Sequence, residues 1–138
     1  MTGLRDLDAL LAAMEPKLLP ADYVFCTVTN AALPDLSAID PIGVFREAEG
    51  TSLILERKDA ERLGLACSAP MRLITLTVHS SLEAVGLTAA VASALAEAGI
   101  SANVVAAYHH DHIFVPAANA ERALATLTAL SESSRTRG

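Results

Sequence analysis

Residues 71–79 (MRLITLTVH) carry the two-residue period of a strand: Ile74, Leu76 and Val78 point one way, Leu73, Thr75, Thr77 and His79 the other. The period then changes. Beyond a loop at 80–86, Leu87, Val91, Leu95 and Ala98 recur on one face of an Ala-rich helix over 87–98, which Gly99 stops. Residues 101–108 (SANVVAAY) return to a strand, His109 to Asp111 turn the chain, and 112–115 (HIFV) run back. Pro116 breaks that strand. Asn119 then caps a last helix with the stripe Ala120, Ala123, Leu124, Leu127 and Leu130, and the polar tail from Ser131 is expected to fray. The order β-α-β-β-α leaves few architectures open, because helices and strands with one apolar face each must bury them against one another.

The first half is less regular. Leu4, Leu7, Leu10, Leu11 and Met14 make the stripe of a surface helix, closed by Pro16 and Pro20. Residues 22–29 (DYVFCTVT) read as a strand. Residues 30–42, with Asn30, Pro34, Asp35, Asp40 and Pro41, read as a long irregular connection containing a turn of helix around Asp35 to Ile39. Runs 43–48 and 51–56 flank Glu49-Gly50 as a β-hairpin, and a short helix over 58–63 ends at Gly64. This gives β-β-β-α, with the irregular segment where a crossover helix would stand. The strand at 71–79 is placed to close the first unit and open the second. The expected fold class is α+β: two ferredoxin-like units of the βαββαβ type, side by side. Residues 1–70 hold the N-terminal helix and an irregular unit; 71–138 hold the regular one and its tail.

Composition narrows the function. The 138 residues, 52% apolar and 19% charged, suit a globular chain. Aromatics are only 4%, and the apolar bulk is Ala, Leu and Val, as thin two-layer units require. A net charge of −6 excludes an electrostatic nucleic-acid binder. RNA-recognition domains share the strand and helix order, but they need a Lys/Arg-Gly-Phe run where this chain has His112-Ile113-Phe114-Val115. No apolar run is long enough to span a membrane. Leu4-Arg5-Asp6-Leu7-Asp8 lacks the basic start of a signal peptide, so a cytoplasmic location is expected. Cys26 and Cys67 fit no short metal or redox spacing and are expected to be two buried thiols.

The segment 78–105 carries the chemistry. Its loop joins a strand to a helix N-terminus, where free backbone N–H groups and the helix dipole favour an anion. Gly86 leaves room for a ligand carboxylate, Ser80 and Ser81 add hydroxyls, and Glu83 suits an ammonium group, so the site fits a zwitterion. Ser, Glu and Gly are also ordinary helix-start residues, and turn shaping is the plainer alternative. His109, His110 and His112 flank Asp111, but neighbours on a hairpin face opposite ways, and only His110 and His112 share a face; no metal site is expected. A Cys26–His79 dyad is the one catalytic pairing to weigh; it needs a spatial adjacency that sequence does not show, and both residues lie on strands, where Cys is mostly a buried hydrophobe. No phosphate loop, nucleophile elbow or dinucleotide fingerprint is present, so neither catalytic residues nor a cofactor are expected.

The stretch 71–130 resembles the ACT domain, the small regulatory unit of aspartate kinases and other biosynthetic enzymes. The likeness lies in the strand ending at Val78, the loop with Gly86, and Leu95-Ala96-Glu97-Ala98-Gly99-Ile100-Ser101-Ala102-Asn103. Over nearly its full length the chain is similar to small bacterial stand-alone ACT proteins. The shared landmarks are Tyr23-Val24-Phe25, Gly43-Val44-Phe45-Arg46-Glu47, Val78 to Leu87, and Tyr108 to Pro116. The resemblance implies two ACT-like units holding an amino acid or related effector. The implied ligand segment is Ser80, Ser81, Leu82, Glu83, Ala84, Val85, Gly86 and Leu87 with Asn103 and Val104; beside it, His112 or His109 is placed to contact a ligand across the sheet. The resemblance implies a regulated partner enzyme, with no catalytic domain expected in this chain, and the uncovered edges of two sheet units make a homodimer the default expectation.

Overall fold

The computed structural model describes residues 3–30, 39–78 and 86–137. Packing divides the chain into two compact units: Ala21–Met71 is inserted between the two stretches of a flanking unit, Met1–Pro20 and Arg72–Gly138.

The flanking unit contains α1 (Gly3–Ala12), the start of β1 (Pro16–Val28), β4 (Met71–Leu76), α3 (Leu87–Glu97), β5 (Asn103–Ala106), β6 (Asp111–Pro116) and α4 (Ala120–Arg137). The remaining elements, β2 (Gly43–Glu47), β3 (Gly50–Glu56) and α2 (Arg57–Leu63), lie in the inserted unit. The expected β-α-β-β-α order of the second half is present as β4-α3-β5-β6-α4. Strand order is β1-β4-β6-β5. A ferredoxin-like unit takes its fourth strand after its second helix; here that place beside β4 goes to the start of β1, from the opposite end of the chain.

One face of this sheet is packed by helices. Ile74 and Leu76 of β4 and Ile113 and Val115 of β6 meet Leu87, Val91 and Leu95 of α3 and Ala120, Ala123 and Leu127 of α4. Leu11, Met14 and Ile100 complete the cluster. The α3 stripe is thus the predicted one. Its end is also as expected: the N–H groups of Gly99 and Ile100 fold back on the carbonyls of Ala96 and Leu95, both at 2.9 Å, while Ile100 enters the core. Arg122 of α4 donates to the Ala98 carbonyl at the same helix end, at 3.1 Å.

Two expectations are corrected here. Pro16 and Pro20 do not merely end the first helix; β1 begins at Pro16, six residues before the predicted strand. Proline suits extended backbone wherever its missing N–H is not needed. The turn that makes this early start possible bends at Glu15, with φ +39, and is held by Thr77, whose N–H donates to the Met14 carbonyl at 2.8 Å and whose hydroxyl donates to that of Glu15 at 3.0 Å. The tail from Ser131 does not fray either. It continues α4 to Arg137, with Ser131 and Ser134 buried against the helical layer. Small hydroxyl residues let α1 approach, and Ser131 and Arg135 both donate to the Ala12 carbonyl, at 3.2 and 3.1 Å. That carbonyl ends α1 and has no partner in its own helix. Strands β4 and β5 are each shorter than the sequence pattern, and the connection between β5 and β6 spans Ala107 to His110.

The inserted unit repeats the plan in smaller form. Its strand order is β2-β3-β1. Strands β2 and β3 pair antiparallel from Gly43↔Ile54 to Glu47↔Gly50, so the hairpin turn is Ala48-Glu49, one residue earlier than expected. Strands β3 and β1 pair Tyr23↔Glu56 through Val28↔Thr51. Gly50 is required by close approach: a Cβ there would lie 2.6 Å from the Val28 carbonyl oxygen. The core is Val24, Cys26, Ile39, Leu53, Leu55 and Ala60, the last bringing α2 close to the sheet. Gly64 ends α2 as expected. On the side of β1 away from β3, Cys67 bridges to Cys26, a fourth strand reduced to one residue pair. Of the expected connection at 30–42, residues 31–38 lie outside the described residues.

Candidate functional site

Ser80, Ser81, Leu82, Glu83, Ala84 and Val85 lie outside the described residues, as does His79. The described part of the site begins at Gly86, the N-cap of α3, whose φ of +99° and ψ of −20° only glycine adopts without strain. A Cβ at Gly86 would come within 3.2 Å of Leu7 Cδ2 on α1. The Gly86 carbonyl accepts from the Ala90 N–H at 2.9 Å, so the helix starts here. Gly86 has no side chain to cap the following N–H groups, and the first turn of α3 carries no acidic residue. The helix therefore presents its positive end without a counter-charge from its own first turn.

The other predicted residues separate by sheet face. Leu87, 3% exposed, points into the core, and Val104 packs against the same cluster. In the β5–β6 register Asn103 stands opposite Phe114, and Val105 opposite His112. Because Ile113 and Val115 face the helices, Phe114, His112, Asn103 and Val105 take the other face. Asn103 is exposed there. The structure thus brings Asn103 and His112 onto one face and sends Leu87 and Val104 to the opposite one.

His112 has a partner the sequence pattern did not name. Its Nδ1 lies 3.0 Å from the Thr75 hydroxyl, on the neighbouring strand β4. His110 approaches the Val78 carbonyl through Nδ1 at 3.5 Å, and His109 stacks edge-on with Tyr108. Burial lowers the pKa of His112, the neighbouring His110 lowers it further, and Asp111 opposes both. Polar residues facing away from the helices on both β4 and β6 were a signal for this pair, but only strand order makes them neighbours.

Two shallow depressions lie in the inserted unit. One, of about 300 Å³, is bounded by Ala21, Asp22, Glu56, Arg57, Lys58 and Glu61. Its charges largely pair with one another: Arg57 reaches Glu61 at 3.0 Å and Asp22 at 3.9 Å, and Lys58 reaches Glu56 at 3.8 Å. The other, of about 400 Å³, opens onto Cys26 and Cys67. Cys26 is buried as expected, but Cys67 is exposed, because its segment forms the outermost pairing on that side of β1. Among the described residues no three His, Cys, Asp or Glu side chains gather as a metal site, and no helix is long and apolar enough to cross a membrane.

Comparison with known proteins agrees with this architecture. Models of the ACT domain match residues 2–72 and, separately, 68–129. The chain belongs to the ACT domain family, whose members are regulatory and often bind amino acids. Among solved structures it is similar to a Vibrio cholerae protein of unknown function described as a possible transport protein, at 54% identity and a TM-score of 0.84, over 94% of this chain and 99% of that one. It also shares its fold with the regulatory subunit of aspartate kinase from Thermus flavus (11% identity, TM-score 0.59, 83% of this chain and 95% of that one). Escherichia coli aspartokinase III, solved in complex with aspartate and ADP, is similar at 14% identity and a TM-score of 0.61, over 83% of this chain and 32% of that one. No curated protein gives a significant match.

Proposed function

We propose that this chain is a cytoplasmic amino-acid-binding regulatory module without catalytic activity of its own, passing its ligand state to a partner enzyme. The observation that carries this reading is the pair of ACT matches, which together run through residues 2–129. The start of α3 supports it: a helix N-terminus whose N-cap is a glycine without a capping side chain offers backbone N–H groups to a carboxylate. In this reading Ser80 to Leu87 wrap the effector. Leu87 and Val104 contribute backbone, since their side chains are packed, while Glu83 takes the ammonium group. Asn103 and His112, on the other sheet face, transmit or extend the site rather than share one pocket with the helix end.

A thermal-shift screen of the full chain against the twenty amino acids tests this. A ligand at about a hundred times its dissociation constant stabilises by roughly 2.7 kcal/mol. A shift with one or a few amino acids, lost in Glu83→Gln, is the expected result. No shift with any amino acid at millimolar concentration removes the reading.

One observation favours a second reading, in which the protein acts through association with itself. Strand β2 ends the strand order of the inserted unit, and Phe45 on it is 72% exposed beside a half-exposed Val44. An apolar edge strand invites pairing with another chain, and a two-fold dimer is the simplest closed form. Light scattering of wild type and Phe45→Glu separates the cases: a dimer that the substitution dissociates supports this reading, and a monomer at high concentration removes it.

A further inference from the structure

Cys26 and Cys67 are distant in sequence but stand directly opposite each other in an antiparallel bridge. The pair is of a particular kind. The Ser68 N–H donates to the Phe25 carbonyl at 2.9 Å, so the hydrogen bond lies outside the two cysteines rather than between them. Such non-hydrogen-bonded pairs are the closer type, with Cα atoms about 4.5 Å apart, inside the roughly 4.4–6.8 Å that a disulfide spans. The Ser68 hydroxyl accepts from the Phe25 N–H at 3.0 Å, a second hydrogen bond between the same two residues on that flank. Both cysteines are free thiols.

We infer that Cys26 and Cys67 are a modification site, a dithiol that a low-molecular-weight disulfide converts reversibly into a cross-strand disulfide. The two thiols differ in access in the way such a reaction needs. Cys67 is exposed and borders the depression lined by Phe25, Thr27, Ser52 and Ala66, where a small disulfide has room to approach. Cys26 is buried behind it. Burial first, and then the neighbouring thiol, push Cys26 up to about 11, so Cys67 is the first attacking group.

The steps balance. The Cys67 thiolate attacks one sulfur of the reagent R–S–S–R, forming a mixed disulfide and releasing RS⁻, which takes up the proton Cys67 lost. The Cys26 thiolate then attacks Cys67 Sγ. The Sγ–Sγ bond forms, the mixed disulfide breaks, and a second RS⁻ leaves and takes the proton from Cys26. The protein loses two electrons and two protons, and the reagent becomes two thiols. The bond ties the one-residue fourth strand of the inserted unit covalently to β1, and a reducing thiol reverses it.

The test equilibrates the full-length protein with mixtures of reduced and oxidised glutathione, quenches in acid, and maps the cysteines by mass spectrometry. As the oxidised fraction rises, both thiols should disappear together into a Cys26–Cys67 disulfide within one chain. Cys26→Ala should stop at a glutathione adduct on Cys67, and Cys67→Ala, at an exposed position that folding tolerates, should leave Cys26 reduced. A wild-type protein that stops at the Cys67 adduct with Cys26 free, or that keeps both thiols at every ratio, overturns the proposal.

Discussion

Thr75 on β4 and His112 on β6 face each other on adjacent strands, hydroxyl to Nδ1 at 3.0 Å. The contact holds the imidazole on the sheet face away from α3 and α4, among groups that disfavour its charge. Burial acts first and His110 second, with Asp111 opposing. The folded state therefore binds a proton at His112 less readily than the unfolded state does, where the ordinary value is 6.5. The stability that the neutral ring contributes is complete above that value and is lost as pH falls toward the lower folded pKa. Urea midpoints should drop on acidification through this window. His112→Asn, which keeps a polar atom near Thr75 but cannot titrate, should flatten the profile there.

The Ala12 carbonyl offers a second measurement. Ser131 and Arg135 both donate to it, so either alone leaves one donor in place. Ser131→Ala should cost about 1 kcal/mol, the ordinary net value of one hydrogen bond. The double variant Ser131→Ala with Arg135→Ala strips the end of α1 and should cost about 2 kcal/mol, read by chemical denaturation. An unchanged double variant would restore the frayed tail that the polar sequence suggests.

Gly86 and Gly64 share a positive φ but not their surroundings. A Cβ at Gly64 meets nothing within 4 Å, whereas one at Gly86 meets Leu7 at 3.2 Å. Gly64→Ala should therefore cost about 1 kcal/mol of backbone strain alone. Gly86→Ala should cost more, because Leu7 must also give way, and the excess should shrink in a Leu7→Ala background.

Thiol reactivity should split cleanly between the two cysteines. At neutral pH a maleimide should label Cys67 quickly and Cys26 slowly, since Cys26 is buried and its pKa lies at about 11. Unfolding in guanidinium should release the second thiol. Equal labelling of both in the folded protein would show that the inserted unit does not hold Cys26 as described.

The sequence was most legible where local rules suffice. The 3.6-residue stripe Leu87, Val91, Leu95 and the glycine after it define α3 without reference to any neighbour. The hairpin at 43–56 follows from two β-rich runs with a turn between them, and its register slipped by only one residue. The site was less legible. Sequence grouped Leu87, Val104, Asn103 and His112 together because they lie near one family motif, yet strand alternation places the last two on the face opposite the first two. Pairings of distant residues, such as Thr75 with His112, have no local signal at all.

By itself the sequence determined most of the element types, the glycine-marked ends of α2 and α3 and the ACT character of both halves. Each of these follows from periodicity, from turn residues, or from a contiguous motif, and so from interactions within a few residues. Only the tertiary structure decided that α1 and the start of β1 pack with residues 72–138, that a polar tail becomes buried helix, and that Cys26 meets Cys67. Those outcomes depend on which distant surfaces bury one another. A carbonyl at the end of α1 recruits Ser131 and Arg135, and an open side of β1 recruits a single residue pair. The need of unpaired backbone groups and apolar faces for partners is local, but the partner is chosen by the packing of the whole unit.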